Sequence, residues 1–321
     1  MKKERKKKTL VIAAVALLVI VLAGLALFES RQQNRESALN EMPGVSAADL
    51  ERQNGAVSGR TAMLVIGIDK MQDECFTTGY LNNQQSDFVT LLVFNHEDKS
   101  YTAIHFNRDT VCDVTRYGIG LRRVDTVPMQ LALSHTYGDG GDLSCRNTVE
   151  SVNSLLPGIF IRNYACVTME AVVELTNLCG GVPVEMDDDY TTVDSRFEKG
   201  LTLTLDGDSA LEFIRMRRAL ADASNARRMN RQRAYLGALA DTVIKKAGAD
   251  SGFTNRAVNA VSPYMTTDAA ELDLAEYMSW VLSYKYNGII TPEGEFDDSG
   301  KYVEFHCDEA SLKEITEKYW K

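Results

Sequence analysis

One uncharged stretch near the N-terminus limits the possible folds of this chain more than any other feature. Residues 9 to 28, TLVIAAVALLVIVLAGLALF, contain no charge, and MKKERKKK before them carries six basic residues and one acid. Such a run is long enough to cross a bilayer, whereas a cleaved signal peptide has a shorter apolar region and a small-residue cleavage site that is missing here. Positive charge before a span holds that end in the cytoplasm. We therefore expect a cytoplasmic basic tail (1–8), a transmembrane helix (9–28) and an extracellular remainder attached to the cell membrane.

The charge of the remainder argues against nucleic acid as a partner. The formal net charge of the whole chain is −10, and because residues 1 to 8 carry +5, the rest carries −15. An acidic surface repels phosphate backbones. The sequence also contains no H-E-x-x-H and no G-x-S-x-G, which disfavours zinc proteases and serine hydrolases.

The six cysteines show no C-x-x-C and no Cys/His zinc spacing, so metal binding through sulfur is not expected. An extracellular domain permits disulfides, and small buried free thiols are the alternative. The sequence leaves both possibilities open.

The rest of the chain alternates strand and helix patterns. Residues 29–60 are polar and aperiodic, as in a linker, and residues 61–250 form the main domain. Strands are predicted for AMLVIGI, for a hairpin of FVTLLVF and SYTAIHF, and for VPVEM. Helices are predicted near 127–137, 146–156, 169–178, 206–217 and 226–247. This order indicates an α/β or α+β fold with a mixed central sheet covered by helices, and residues 251–321 are expected to be a C-terminal helical subregion packed on or trailing the domain.

Seven arginines, no lysine and one acid, Asp222, occupy residues 215–233. Arg215 and Arg217 fall near the end of one predicted helix, while Arg228 and Gln232 lie four apart on the next, with Arg231 beside them. Guanidinium groups bind phosphate through two parallel hydrogen bonds and stay charged at any pH. A solvated face or ion pairs would explain single arginines, but so many neighbouring cations favour a bound anion.

Three further segments place charge at strand ends. Arg108 and Asp109 follow SYTAIHF, Asp69 ends LVIGID, and Asp87 begins the first strand of the hairpin. Ligand sites in α/β sheets collect at strand ends, and two carboxylates can hold one Mg²⁺ with positions left for phosphate. Taken alone, each aspartate is better explained as a turn or cap residue than as a metal ligand.

Six blocks of sequence together resemble the LytR-CpsA-Psr family over about residues 62–245. The blocks are LVIGIDK, SDFVTLLVFN, FNRDTV, LCGGVPVEM, FEKGLTLTLDGDSALEFIRMR and RRMNRQR, in the order of the family. The resemblance implies an α/β domain with a long apolar lipid pocket. It also implies an extracellular phosphotransferase that moves a glycopolymer, such as teichoic acid or capsular polysaccharide, from an undecaprenyl-pyrophosphate-type lipid to peptidoglycan.

The resemblance also implies roles for individual residues. It places Mg²⁺ or Mn²⁺ on Asp69 and Asp87, and the pyrophosphate on Arg108, Arg215, Arg217, Arg228 and Gln232. The chemistry of the transfer step, apart from the resemblance, gives Asp109 two possible roles: it would either take a proton from the attacking sugar hydroxyl or hold a neighbouring arginine through an ion pair.

The chain departs from the family pattern at three places. HFNRD stands where the family has S-I-P-R-D, with His105 and Asn107 in place of Ser and Pro. Met129 and Gln130 stand near a usual lysine, and Asn225 stands where an acid is usual.

Two other activities use the same residues and stay open at this point. A lipid-pyrophosphate hydrolase differs from the transferase only in its acceptor. A non-catalytic protein that binds polyprenyl phosphate or polysaccharide, with a regulatory role, is the second alternative.

Overall fold

The computed structural model describes residues 59–191, 194–215, 225–250 and 252–320. The predicted basic tail, transmembrane helix and most of the linker lie outside these residues, as do Arg217 and Asp222. Within the described ranges, no helix combines the length and the apolar composition that crossing a bilayer requires.

A six-stranded mixed sheet forms the centre of the molecule. Its strands lie in the order β10 (Lys285–Ile290), β3 (Ser100–Phe106), β2 (Ser86–Asn95), β1 (Arg60–Ile68), β6 (Ile161–Val167) and β9 (Met265–Thr267). Strand β1 (Arg60–Ile68) pairs antiparallel with β2 (Ser86–Asn95) and parallel with β6 (Ile161–Val167). β2 and β3 (Ser100–Phe106) form the predicted antiparallel hairpin. A mixed sheet with helices confirms the α/β expectation.

β1 is apolar throughout because both of its faces are covered. Leu64 and Ile66 belong to one core cluster, which includes helix α1 (Asp142–Leu155) and Ile315 of helix α7 (Glu309–Tyr319). Met63 and Val65 point to the opposite face, against Leu274 and Tyr277 of helix α6 (Glu271–Ser283). The strand periodicity of two sends successive side chains to the two cores.

Four helices and a short hairpin form a third core beside the sheet. Apolar side chains of this cluster are fully buried, among them Leu175, Phe213 and Tyr235. Its elements are α2 (Met169–Leu178), α3 (Gly207–Arg215), α4 (Asn225–Ala249), α5 (Phe253–Val261), β7 (Val182–Glu185) and β8 (Thr202–Leu205). α2, α3, α4 and β7 correspond to the helices and the strand predicted between residues 169 and 247, whereas β8 was not predicted and α5 falls in the expected C-terminal subregion.

The helix predicted near 127–137 is wrong. Residues up to 130 belong to β5 (Arg122–Gln130), which pairs with β4 (Val111–Gly118), and a short 3₁₀ helix (Leu131–Thr136) follows. The apolar residues of this segment fit either periodicity, and pairing with β4 selects the strand.

The C-terminal residues supply both edges of the central sheet. β10 (Lys285–Ile290) lies parallel to β3, and β9 (Met265–Thr267) lies antiparallel to β6. The expected helical subregion thus contains α5, α6 and α7 together with the edge strands. A hairpin of β11 (Gly294–Asp297) and β12 (Glu304–Cys307) precedes the last helix. All six cysteines are free thiols, which answers the question that the sequence left open.

Candidate functional site

The predicted acidic and basic residues of the first three strands meet at one edge of the sheet. Ile68 at the end of β1 lies opposite Ser86 at the start of β2, and Val89 lies opposite Phe106 at the end of β3. Because β2 runs antiparallel to both neighbours, its beginning lies between their two ends. The segments that carry Asp69, Asp87 and Arg108 are therefore adjacent.

Arg108 is buried among acceptors, with 7% of its surface exposed. Its guanidinium forms an ion pair with Asp87, its Nη2 donates to the side-chain oxygen of Gln85, and its Nε lies 3.4 Å from Oδ1 of Asp109. A buried cation is tolerated only where such partners compensate its lost hydration. The two carboxylates and the amide thus fix the orientation of the guanidinium.

Gln85 connects this ion pair to Asp69. The backbone N–H of Gln85 donates to Oδ1 of Asp69 at 2.9 Å, and the N–H of Asp69 donates to the carbonyl of Gln85 at 3.1 Å. Oδ2 of Asp69 lies 4.0 Å from Nζ of Lys70, and 23% of the Asp69 side chain is exposed. Oδ1 of Asp69 is thereby held by the backbone of the loop that leads into β2.

Arg215 reaches the same edge from the last residue of α3. Its Nη2 donates to the backbone carbonyl of Asp69 at 3.2 Å and lies 3.5 Å from a carboxylate oxygen of Glu74. The hydrogen bond from the Met71 N–H, assisted by the charge of Arg215, lowers the pKa of Glu74. With 35% of its side chain exposed, Arg215 is a cation at the rim of the site.

Asp109 is held from three directions. Its N–H donates to Oδ1 of Asn107 at 3.0 Å, the amide nitrogen of Gln130 lies 3.4 Å from its Oδ1, and its carbonyl accepts the N–H of Phe305 at 2.8 Å. The Gln130 amide also donates to the carbonyl of Val303 at 2.6 Å. The loop that carries Arg108 and Asp109 is therefore supported by both β5 and the C-terminal β11–β12 hairpin.

Within the residues that the structure describes, the arginine-rich segment places Arg215 at this edge and Arg231 elsewhere. Arg217 lies outside them, and so does the side chain of Arg228. Arg231 is 1% exposed, and its Nε donates to the carbonyl of Phe213 at 3.2 Å while its guanidinium lies 5.5 Å from the Tyr190 ring centre. This arginine therefore ties α4 to α3 inside the third core.

Gln232, next to Arg231 on α4, is also buried, with 6% of its surface exposed. Its side-chain oxygen has no hydrogen-bond partner among the described residues. It is the one predicted pyrophosphate ligand on α4 whose side chain can be placed.

The two unusual residues before Arg108 are packed in place. His105 is 1% exposed, its Nδ1 lies 2.8 Å from Oγ1 of Thr90, and its ring packs on Phe88. Asn107 forms the turn into Asp109 through its side-chain oxygen.

Sequence reasoning did not assign Gln85 or Gln130 to the site. Gln85 stands two residues before Asp87, in the polar run NNQQSD. This proximity to a predicted site aspartate is the sequence signal that could have assigned Gln85 to the site. Gln130 occupies the region where the family has a lysine, and that departure was the signal for a contact to Asp109.

The chain is similar to known proteins in both sequence and fold. The profile of the LytR_cpsA_psr family matches residues 26–321. A relative from Halalkalibacterium halodurans, named polyisoprenyl-teichoic acid–peptidoglycan teichoic acid transferase TagU, is 26% identical over 229 residues, which are 71% of this chain and 65% of that protein. The Bacillus cereus protein of the same name is 28% identical over 194 residues, which are 60% of this chain and 54% of its own length.

The chain thus spans between about half and two thirds of the length of these curated relatives. A solved structure of YwtF (TagT) from Bacillus subtilis, described with bound octaprenyl pyrophosphate lipid, matches with a TM-score of 0.55 and 20% identity over 82% of this chain and 89% of that one. This likeness shows the shared fold. Because the family profile matches residues 26–321, a range that includes all of the site residues named above, the protein belongs to the LytR-CpsA-Psr family.

Proposed function

We propose that this protein is a membrane-anchored extracellular phosphotransferase that moves a glycopolymer from an undecaprenyl-pyrophosphate-type lipid to peptidoglycan. The observation that carries the proposal is the meeting of Arg108, Asp87, Asp69 and Arg215 at one edge of the sheet. Family membership and the names of the relatives give the substrate class.

The geometry suits phosphoryl transfer, which depends mainly on positioning and on neutralising charge as the bond to the leaving phosphate breaks. Arg108 is held rigidly, so its charge is oriented before the substrate arrives. Arg215 is more exposed and is available to contact the outer phosphate. A sugar hydroxyl would attack the phosphate that carries the glycopolymer, the bond to the lipid phosphate would break, and the hydroxyl proton would pass to the departing lipid phosphate or to water. No covalent enzyme intermediate is required.

Asp69 and Asp87 fit a Mg²⁺ or Mn²⁺ ion as the proposed metal ligands. Both present carboxylate oxygens, the ligands that these ions prefer, and they flank the Gln85 link at the same sheet edge. When bound, the ion would neutralise charge on the phosphates. Asp69 holds the loop through the backbone N–H of Gln85, and Asp87 orients Arg108.

Asp109 is assigned to positioning rather than to proton transfer. Its Oδ1 lies within 3.4 Å of both the Arg108 Nε and the Gln130 amide nitrogen. The ion pair with Arg108 and the hydrogen bond from Gln130 fix this carboxylate beside the guanidinium.

A transfer assay on the full chain in proteoliposomes tests the proposal. The donor is a polyprenyl-pyrophosphate-linked saccharide, with Mg²⁺ and a peptidoglycan acceptor, and the variants are Arg108→Ala and Arg217→Ala. Arg116→Ala is the matched control, because Arg116 pairs with Asp125 on the exposed β4–β5 hairpin. We expect metal-dependent transfer that both site variants lose and the control keeps.

Other outcomes of this assay would overturn the proposal. Release of saccharide at the same rate without acceptor would identify a hydrolase, and tight lipid binding without turnover would identify a binding protein. A topology reporter fused after residue 321 tests the location, and a cytoplasmic signal would reject the extracellular site.

A further inference from the structure

Three metal-binding side chains lie together in the core that covers one face of the sheet. His135 and Cys145 are fully buried and Cys166 is 2% exposed. Their donor atoms, the Cys145 and Cys166 Sγ and a nitrogen of His135, all lie within 4.8 Å of one another. None of the three contacts the sheet-edge site in the described hydrogen bonds and ion pairs.

The separations between these atoms match those around a bound ion. Nε2 of His135 lies 3.6 Å from Sγ of Cys145 and 3.8 Å from Sγ of Cys166. An ion about 2.3 Å from sulfur and about 2.0–2.1 Å from nitrogen, with tetrahedral or trigonal angles, sets its sulfur and nitrogen ligands about 3.5–3.8 Å apart. Both nitrogen–sulfur distances therefore fit side chains that bind one ion.

The ligands stand on elements whose backbones are fixed independently. Cys145 is in the first turn of α1, Cys166 is in β6, and His135 is in the 3₁₀ helix after β5. The carbonyl of His135 accepts a hydrogen bond from the Asn82 amide at 2.9 Å. Rigid supports of this kind hold a metal site in its binding geometry.

The surroundings of His135 also differ from those of the half-buried His96. His96 uses both ring nitrogens in hydrogen bonds, to Thr61 and Tyr284. In His135, Nδ1 has no hydrogen-bond partner among the described residues, and Nε2 faces the two sulfurs. The described polar contacts of the His135 ring are with the Cys145 and Cys166 sulfurs, the arrangement expected when all three side chains bind one ion.

We propose that His135, Cys145 and Cys166 bind a thiophilic divalent metal ion of the zinc class in a structural site. On binding, each thiol loses its proton to solvent and each sulfur forms one bond to the ion, while neutral imidazole donates through Nε2. Two thiolates and one divalent cation carry no net charge, which suits a site excluded from water. The ion would cross-link α1, β6 and the segment after β5.

The soft sulfur donors distinguish this site from the one proposed at Asp69 and Asp87. Thiolate favours zinc-like ions, whereas carboxylate favours Mg²⁺ and Mn²⁺. The two sites are therefore expected to fill independently, and the proposal does not depend on the transferase activity.

Metal analysis and cobalt substitution of the full, detergent-purified chain test the proposal. Under reducing conditions we expect one tightly bound equivalent of Zn²⁺. Replacing it with Co²⁺ should produce thiolate-to-cobalt charge-transfer absorption in the near ultraviolet. Cys145→Ser and Cys166→Ser should each weaken Co²⁺ binding by more than about 100-fold, beyond the usual cost of losing an outer-shell partner. Cys179→Ser is the matched control, because Cys179 is also a buried free thiol but lies in the third core.

A measurement on the unmodified chain keeps the test decisive if the serine variants fail to fold. X-ray absorption of the zinc-loaded protein should show two sulfur scatterers and one imidazole. Absence of cobalt charge transfer with both thiols reduced would overturn the proposal. So would a Cys145–Cys166 disulfide in the protein as isolated, detected as a mass lower by two hydrogens, or zinc held only by oxygen and nitrogen.

Discussion

Arg108 keeps its charge in the interior because acceptors surround it. The side chains of Arg108, Asp87 and Asp109 are 8%, 10% and 11% exposed. Removing one member of such a buried group leaves the remaining charges without compensation. The stability of this loop and its proposed chemistry therefore depend on the same contacts, and they must be separated experimentally.

Arg108→Ala is expected to lower the free energy of unfolding by about 3–5 kcal/mol, because it strands two buried carboxylates. The double variant Asp87→Asn with Arg108→Met should recover most of this loss, since it removes charge from both sides of the pair, yet it should remain inactive in transfer. Chemical denaturation and the transfer assay measure the two effects. Recovery of transfer in the double variant would show that Arg108 only supports the fold.

Two neighbouring glycines end α2 and differ in the space around them. Gly180 and Gly181 have φ of 72° and 94°, and the N–H of Gly181 donates to the carbonyl of Thr176. A Cβ on Gly181 would lie 2.6 Å from Cγ2 of Thr204, whereas one on Gly180 would meet only the end of Lys246 at 3.9 Å. The predicted helix stop is thus also a packing contact with β8.

Gly180→Ala should cost about 1–2 kcal/mol, the strain of a left-handed alanine. Gly181→Ala should cost about 1–3 kcal/mol more, because it adds a steric clash with β8. Urea denaturation of the two variants measures the difference. Equal decreases in the free energy of unfolding would mean that β8 moves to accommodate the added methyl group at no energetic cost.

His96 lies in the turn between β2 and β3 and connects it to two other elements. One ring nitrogen forms a hydrogen bond with Thr61 of β1, and the other forms one with Tyr284 at the end of α6. The ring also makes an edge-on contact with Trp280. Burial lowers the pKa of His96. Below about pH 6.5, the ordinary value for histidine, the unfolded chain takes up a proton that the folded protein resists. Stability contributed by neutral His96 is therefore present above that pH and is lost as the pH falls toward the lower folded pKa.

His96→Gln, which retains hydrogen-bonding groups, should remove this slope. The measurement is the denaturation midpoint as a function of pH for both proteins. Parallel curves below about pH 6.5 would assign the pH dependence to other groups.

Local sequence patterns correctly predicted the elements whose type, helix or strand, does not depend on pairing with a distant segment. Continuous apolar runs identified β1 to β3, and Asp206 correctly marked the start of α3, where its Oδ1 accepts the Ser209 N–H at 2.9 Å. The segment 127–137 failed because its apolar spacing suits both periods, and only β4 decides between them. The edge strands β9 and β10 are too short to stand out in a helical region.

At the scale of the whole molecule, the candidate site could be predicted where each residue borders its own strand, and at Arg215, which ends a predicted helix. Asp69, Asp87 and Arg108 were found because strand ends are visible in the sequence. The contacts of Gln130 to Val303 and of Asp109 to Phe305 join distant parts of the chain. The cluster of His135, Cys145 and Cys166 has no motif spacing, so only the fold reveals it.

The C-terminal hairpin is expected to act on the site through a backbone contact. Phe305→Pro removes the N–H that donates to the Asp109 carbonyl and should reduce transfer by about 10-fold or more, the scale of a misplaced catalytic group. Phe305→Ala retains that N–H and should be the milder change when rates are normalised to folded protein. Equal activities would show that the contact does not position the loop.

The parallel pairing of β10 with β3 also sets an order of events during synthesis. All seven residues of β3 are buried in the folded protein, yet their outer partner is Lys285–Ile290, far downstream. Until that segment has been made, a nascent chain exposes an open sheet edge, which is prone to pair with other chains. Assembly of the Arg108 loop is correspondingly late, because its backbone partner Phe305 lies further along still. A growing chain would thus leave the strand that leads into its proposed catalytic loop unpaired on one side until residues 285–290 have been made, and it would complete the support of that loop only after Phe305.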